Sequence, residues 1–366
     1  MAGFINRLKY YDVPLLIVSG LLLIAGLAIQ YAVSLSGGTM QIFYRQLIFS
    51  VIGIVLFMIL ASYNYHKLAK INRIVYIILI GALLYLIIFG DPIRGSARWI
   101  DIGFFRLQPA ELAKIVVGIG LSRWLYLKRG QINSWSNLVI TFLYAAIPAV
   151  LILREPDLGS AMIVMSIWFG LLLISPVRRT FIVMFLIAAV IFSGVAWKYI
   201  LHDYQQTRIE VFLDPDKDPK GKGYNVRQAI IAVGSGEFFG RGLGRGLQSQ
   251  LKFLPERQTD FIFASASEEI GFVGCTALLV LYYLLFRRLL HIMRYARDDL
   301  AMYLTGSVLF LFIAQVVINV GMNIGLLPVT GIPLPFLTYG GSSLLVVCMA
   351  LGIVQNVARQ SRALRF

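Results

Sequence analysis

The chain has 366 residues, of which 58% are apolar and only 14% charged, and its mean hydropathy is +0.78. That composition excludes a soluble enzyme or a disordered chain and implies an integral membrane protein. A formal net charge of +15 would indicate a nucleic-acid partner in a soluble protein; in a membrane protein it excludes none of the spans and instead indicates loops facing anionic lipid headgroups, with no nucleic acid involved.

From the N-terminus, apolar runs long enough to cross a bilayer predict ten helical spans, at 13–33, 44–62, 71–90, 109–126, 137–153, 159–175, 180–200, 262–287, 301–326 and 340–357. The predicted fold class is an all-α polytopic membrane protein, with residues 1–366 as one domain. The first run is too long for the core of a cleavable leader and is followed by no cleavage site, so it is read as a span. Ten spans put both termini on one side. Arg7, Lys9, Lys67, Lys70, Arg73, Arg123, Lys128, Arg129, Arg178, Arg179, Arg287, Arg288, Arg294, Arg297, Arg359, Arg362 and Arg365 all fall on that side. The short connections opposite hold only Arg45, Arg94, Arg98, Arg106 and Arg154. This bias predicts cytoplasmic termini. The one long hydrophilic segment, 201–261 between spans 7 and 8, is then extracytoplasmic, because long loops cross largely regardless of charge. Within it, 214–223 reads as a turn-rich loop.

An ionisable group at membrane depth costs a few kcal/mol and is therefore a functional candidate. In chain order, Arg94 and Arg98 flank a loop with Trp99, a pattern that suits either a solvated face or a phosphate or sugar. Glu111 and Lys114 begin span 4 after Pro109, which suits a first helical turn. Their spacing of three puts them on one helix face, as a packing pair or as a cation offered to an anionic substrate. Arg154, Glu155 and Asp157 crowd the turn between spans 5 and 6, where Asp157 is also a plausible N-cap. Gly234–Gly246 (GSGEFFGRGLGRG) mimics a nucleotide fingerprint but follows no strand of a βαβ unit. With Arg241 and Arg245 it reads as flexible, anion-friendly backbone. Arg257 precedes Thr259 and Asp260 at the start of span 8, where Asp260 is either a cap or a carboxylate at a cavity mouth. Glu268 and Glu269 lie two turns inside that span without a basic neighbour in sequence, so their partners must come from elsewhere in the fold. Residues 331–343 (GIPLPFLTYGGSS) form a second helix-breaking element. Cys275 and Cys348 fall in apolar runs and read as free, inert thiols. His66, His202 and His291 are scattered, and no metal cluster is visible.

Four of these segments, RGSARWIDIGFFRLQPAELAK (94–114), REPDLGSA (154–161), LPERQTDFIFASASEEIG (254–271) and NIGLLPVTGIPLPFLTYGGSS (323–343), together resemble the SEDS family (shape, elongation, division and sporulation), bacterial peptidoglycan polymerases of the RodA and FtsW type. They stand in the family's order over most of the chain, and Arg257 in LPERQTD resembles the elongation branch. The run Ala264–Ser267 is more polar than the aliphatic stretch of the family pattern. The resemblance implies a ten-helix glycosyltransferase of the bacterial cytoplasmic membrane with an extracytoplasmic active site. It implies lipid II as substrate, undecaprenyl pyrophosphate as leaving group and inversion at the anomeric carbon. The catalytic aspartate of the family falls on Asp260, and its intramembrane Glu/Lys pair on Glu111 and Lys114. A class B penicillin-binding protein is the implied partner.

The residues support that chemistry. A diphosphate leaves readily once cations meet its charge, so Arg and Lys along 94–114 and 208–257 suit that task. The acceptor hydroxyl is a poor nucleophile at neutral pH, and one placed carboxylate, Asp260, can take its proton for about 10²–10⁴-fold. No cofactor is required; a divalent cation is compatible with this chemistry, although the sequence shows no dedicated ligand cage. A flippase or transporter of lipid-linked sugars is the rival from another class, and a polysaccharide ligase the rival within the enzyme class. A scaffold gives no reason for Glu111, Lys114, Glu268 and Glu269 inside the bilayer.

Overall fold

The computed structural model describes residues 11–37, 40–90, 98–103, 105–199, 203–219, 221–246, 253–254 and 256–362. Its helices are Val13–Gly37 (α1), Met40–Ser62 (α2), Tyr65–Phe89 (α3), Pro109–Leu127 (α4), Trp135–Arg154 (α5), Leu158–Ile174 (α6), Arg179–Tyr199 (α7), Asp203–Leu213 (α8), Lys222–Ser235 (α9), Ile262–Arg294 (α10), Asp299–Asn323 (α11) and Gly341–Arg362 (α12). Eight are long and apolar enough to cross a membrane: α1, α2, α3, α5, α7, α10, α11 and α12. The other two predicted spans are α6, apolar but shorter, and α4, which carries Glu111, Lys114 and Arg123 along its length. All ten predicted spans are therefore helices, in the predicted order. Several run past their predicted ends, two of them over clusters of basic residues. Tyr65–Phe89 takes in Lys67 and Lys70, and Ile262–Arg294 takes in Arg287, Arg288 and Arg294. Hydropathy marks the hydrocarbon core, whereas a helix continues into the headgroup layer.

Helix α11 is central. It packs on α10, α6, α4 and α12, while α12 lies along α2. α7 is the peripheral one: it buries none of its apolar stretch. Its first turns are fastened by edge-on contacts of Phe181 with Trp135 and of Phe185 with Trp168.

The helices alternate in direction. Gln30, late in α1, and Gln46, early in α2, both reach the segment 337–340. Asn319 and Asn323, at the end of α11, reach the start of α10. The starts of α2, α4, α6, α10 and α12 thus share one end of the bundle with the ends of α1 and α11. At the opposite end Asp12 pairs with Arg288, Tyr65 donates to Asp298 (2.8 Å), Arg129 meets Asp299 at 2.5 Å, and Arg123 donates to the carbonyls of Ala69 and Lys70 at 2.9 Å. The start of α1 and the end of α12 are both at this basic end.

Two connections differ from the expectation of plain loops, and one span is interrupted. Ile100–Ile102 (β1) and Phe105–Leu107 (β2) form an antiparallel hairpin before α4, turning at Gly103 with φ 73°. The hydrophilic segment between spans 7 and 8 folds into α8 and α9, separated by a 3-10 turn at Pro215–Lys217. Helix α10 is broken at Gly271 (φ 65°). The break is tolerable in a membrane because the loop after α9 supplies the missing partners. Phe272 and Val273 amides donate to the carbonyls of Glu237 (2.9 Å) and Phe238 (3.1 Å), and Arg241 and Gly242 amides donate to those of Glu268 (2.9 Å) and Glu269 (3.0 Å). A Cβ on Gly271 would lie 2.2 Å from the Gly240 nitrogen, and Gly240 itself has φ 79°. The glycines read from sequence as an anion-friendly loop here let two backbones meet.

The polar run Ala264–Ser267 is fully buried. Ser265 Oγ donates to the Arg257 carbonyl (3.3 Å) and Ser267 Oγ to that of Phe263 (2.8 Å). Small side chains that satisfy themselves allow the close packing that longer aliphatic ones would prevent. Cys275 and Cys348 are free and buried.

Candidate active site

The turn 256–260 leads into α10. Glu256 takes φ 50°, a strained value for a side-chain-bearing residue. Its carbonyl accepts the amides of Thr259 (3.1 Å) and Phe261 (3.3 Å). Each following carbonyl is then held from a different direction. That of Arg257 takes Ser265 Oγ. Gln258's takes Gln30 Nε2 (3.1 Å) and the Tyr339 amide (2.8 Å). Thr338 Oγ1 donates to Thr259 (3.3 Å), and Asn319 and Asn323 donate to Asp260 at 3.3 and 3.1 Å. Satisfying these buried acceptors fixes the turn in one conformation and sets the direction of the Asp260 side chain.

The capping alternative for Asp260 does not hold. The residue at the N-cap of α10 is Phe261, and no side chain of the α10 start caps it. The Ala264 amide, at the N3 position, is capped instead from α11, donating to Asn323 Oδ1 at 3.0 Å. Asp260 keeps partial exposure, and its carboxylate lies against Gly331 (φ 75°), where a Cβ would sit 3.5 Å from Oδ2. Crowding by protein and then Glu256 raise its pKa, Arg208 and Arg98 lower it, Asp157 raises it, and the net position is about 6. An aspartate so placed is ionised at neutral pH yet basic enough to accept a proton.

Arg98 Nε donates to the Glu155 carbonyl (2.9 Å) and Nη2 to that of Pro156, so the loop before α4 clamps the turn before α6. Asp157 is the N-cap of α6: Oδ1 accepts the Ser160 amide (2.9 Å) and Oδ2 the Gln108 side-chain amide (3.1 Å). Gln108 stands at the N-cap position of α4 without a side-chain cap bond and donates its backbone amide to Ser342 Oγ (3.1 Å) in the first turn of α12. Gly159 packs on the Thr330 carbonyl. The N-termini of α4, α6, α10 and α12 therefore gather around Asp260, and such termini favour anions. Glu155 is 2% exposed. Burial, then Asp157, push its carboxyl up to about 8, against a lowering by Arg98.

The remaining sequence candidates separate into other groups. Glu111 and Lys114 form a buried ion pair, their side chains 4% and 0% exposed. Glu268 and Glu269 act on Arg257 through charge, while Arg257 Nη1 and both carboxylate oxygens of Glu269 are buried with no hydrogen-bond partner. Arg241 is held by the Ser235 carbonyl (2.9 Å) and Glu237. Arg154 and Arg245 are exposed. None of these is among the charges that bear most on Asp260. Arg94 lies outside the described residues. Among the described residues no group of three or more His, Cys, Asp or Glu is placed to hold a metal.

Sequence reasoning did not single out Glu256, Asn319 or Asn323, and it took in Arg208 only as one cation of the stretch 208–257. The two asparagines did leave a signal, since with Gln315 they form a polar stripe at spacing four in an apolar span. Nothing in the sequence set Arg208 apart from the other cations of its stretch, because only the fold brings its charge to bear on Asp260.

A family model described as a cell cycle protein, FtsW/RodA/SpoVE, matches residues 7–363. The peptidoglycan glycosyltransferase MrdB of Escherichia coli K12 is 36% identical over 355 residues, covering 97% of this chain and 95% of the relative. A probable peptidoglycan glycosyltransferase FtsW of Pseudomonas fluorescens is likewise 36% identical over 359 residues, covering 94% and 85%. A chain from a solved structure of a peptidoglycan synthase complex, described as coordinating polymerization and crosslinking, superposes with a TM-score of 0.81 at 26% identity, covering 96% of this chain and 98% of that one.

Proposed function

The chain belongs to the FtsW/RodA/SpoVE family and is a peptidoglycan glycosyltransferase of a bacterial cytoplasmic membrane, and from that premise we propose that it polymerises lipid II with Asp260 as the general base. The supporting observation is the division of labour at the α10 start. Asn323 takes the capping duty, five neighbouring carbonyls are tied down, and the carboxylate remains available. In the reaction, Asp260 takes the proton of the 4-hydroxyl of one lipid II. That oxygen attacks the anomeric carbon of the growing chain's reducing end, and undecaprenyl pyrophosphate leaves with inversion. A single displacement needs no second carboxylate as nucleophile. Arg98, Arg208 and the four helix N-termini meet the diphosphate charge, so the leaving group needs no protein acid.

Both termini are assigned to the cytoplasm, because the basic end of the bundle holds them. The active site then opens outside. Residues 201–261 are the extracytoplasmic segment of a single domain spanning 1–366. The elongation branch is favoured by Arg257 in LPERQTD, although MrdB and FtsW relatives are equally identical. A class B penicillin-binding protein supplies cross-linking beside it, as fits a neighbour from a synthase complex.

The test is purified protein with lipid II, with and without its cognate penicillin-binding protein, and resolution of the glycan products. Glycan strands support the proposal. Movement of lipid II across vesicles without any new glycosidic bond supports the flippase instead.

A further inference from the structure

The segment 330–338 is buried except at Gly331, which is exposed, and Pro333, which is half-buried. The neighbours of Gly331 are held in place. Thr330 is 5% and Ile332 1% exposed, α6 packs on both through Gly159, and the Ile332 carbonyl accepts Asn319 Nδ2 at 2.7 Å. Between them Gly331 takes φ 75°, a conformation that side-chain-bearing residues rarely adopt. The three atoms nearest to a Cβ placed on Gly331 all belong to one carboxylate: Asp260 Oδ2 at 3.5 Å, Oδ1 at 3.8 Å and Cγ at 3.9 Å. Both oxygens are nearer than Cγ, so the empty position lies beyond the oxygens, on the side from which a hydrogen-bond donor approaches. Other glycines of positive φ serve different ends. Gly240 and Gly271 meet each other's backbone, and Gly325 meets Ile230, whereas Gly103 has nothing within 4 Å.

We propose that Gly331 is a specificity-determining residue: the space left by its missing side chain is the seat in which the acceptor hydroxyl meets the Asp260 carboxylate. A hydroxyl oxygen must come within about 2.5–3.0 Å of a carboxylate oxygen to pass its proton. A primary hydroxyl on a free methylene arm reaches past a side chain to do so. A secondary hydroxyl on a sugar ring does not, because the ring carbon that bears it and its ring neighbours must come along. Such an acceptor needs a bare wall beside the base, and a glycine backbone is the wall that a ligand approaches most closely. The seat therefore selects a ring-borne secondary alcohol. This inference rests on the reading of Asp260 as the base.

The experiment uses the full-length protein in lipid nanodiscs, with lipid II turnover, thermal unfolding, and labelling of the Asp260 carboxyl by a small water-soluble carbodiimide, read by peptide mass. The variants are Gly331→Asn, Gly331→Ala and Gly103→Asn, with Asp260→Asn run in parallel. Asparagine tolerates the left-handed region, so Gly331→Asn fills the seat while keeping the backbone. Gly103, at φ 73° with no neighbour, takes the same substitution as the control for conformation alone. Gly331→Asn is expected to lower kcat/KM about ten- to hundredfold, the scale of a displaced reactant, and to slow labelling of Asp260. Gly331→Ala shows a smaller loss of the same kind, and Gly103→Asn keeps wild-type turnover. Wild-type turnover in Gly331→Asn overturns the proposal, and so does unchanged labelling of Asp260. An equal loss of turnover in Gly103→Asn, or a loss that follows a fall in Tm, assigns the effect to backbone strain and overturns it too. Should Gly331→Asn fail to fold, Gly331→Ala gives both readings. Retained turnover in Asp260→Asn would remove the base, whereas the labelling of Asp260 with and without the added side chain judges the seat independently.

Discussion

Asn323 is where stability and catalysis meet. Its side chain accepts the Ala264 amide at 3.0 Å and donates to the carbonyls of Asp260 (3.1 Å) and Asn319 (2.8 Å). Asn323→Leu keeps the branching at Cγ and removes all three. The Ala264 amide, buried in the first turn of α10, is left without an acceptor, which costs about 1–3 kcal/mol. The Asp260 carbonyl retains only Asn319, at 3.3 Å. A reacting group displaced by about 1 Å loses on the order of 10²-fold in rate, so kcat should fall about ten- to hundredfold. KM should change little, because Asn323 touches the turn and not the substrate. The assay is lipid II polymerisation across substrate concentration, with thermal unfolding of the same preparation. A variant that loses stability yet keeps kcat would refute the claim that the α11 asparagines aim the aspartate.

Further outcomes follow from the charges. Because a base must be ionised, kcat/KM should fall below about pH 6, where Asp260 takes up its proton. Arg208→Gln should move that limb to higher pH and Glu256→Gln to lower pH; a pH–rate profile unmoved by either would contradict the assignment. Glu155 binds its proton more tightly folded than unfolded, since its carboxyl is raised from 4.5 to about 8. Its contribution to stability is full below the lower value and is lost as pH rises through the upper one. Glu155→Gln should therefore flatten the fall in Tm over that window, and an unchanged slope would dismiss it. Lys114→Met leaves Glu111 buried without its cation, at about 3–5 kcal/mol, and Glu111→Leu/Lys114→Met should regain most of that. Thermal unfolding decides, and a single variant as stable as wild type would return the pair to solvent.

The spans were legible because a bilayer demands long apolar runs, and ten of them survive as helices even where α4 carries charge. The carboxylates were legible because polar groups at depth are rare. What joins them was not. Gly271 breaks α10, yet glycine is ordinary in membrane helices, and nothing local marks it until Gly240 is placed against it. Helices α8 and α9 sit in hydrophilic sequence with turn residues on both sides, so no apolar period announces them. Arg257 and Glu268 were quoted in one motif with Asp260, but only the structure shows that neither is among the charges that bear most on Asp260. The stripe Gln315, Asn319, Asn323 was in plain view, and polar side chains at spacing four in a span call for a partner segment.

The account stands on the carboxylate at the head of α10 taking the acceptor's proton. Asp260→Asn keeps the shape and backbone anchors and removes only that capacity. With lipid II and an unchanged thermal unfolding profile, glycan synthesis should drop by about 10²–10⁴-fold. Synthesis within a few-fold of the unaltered protein would contradict it.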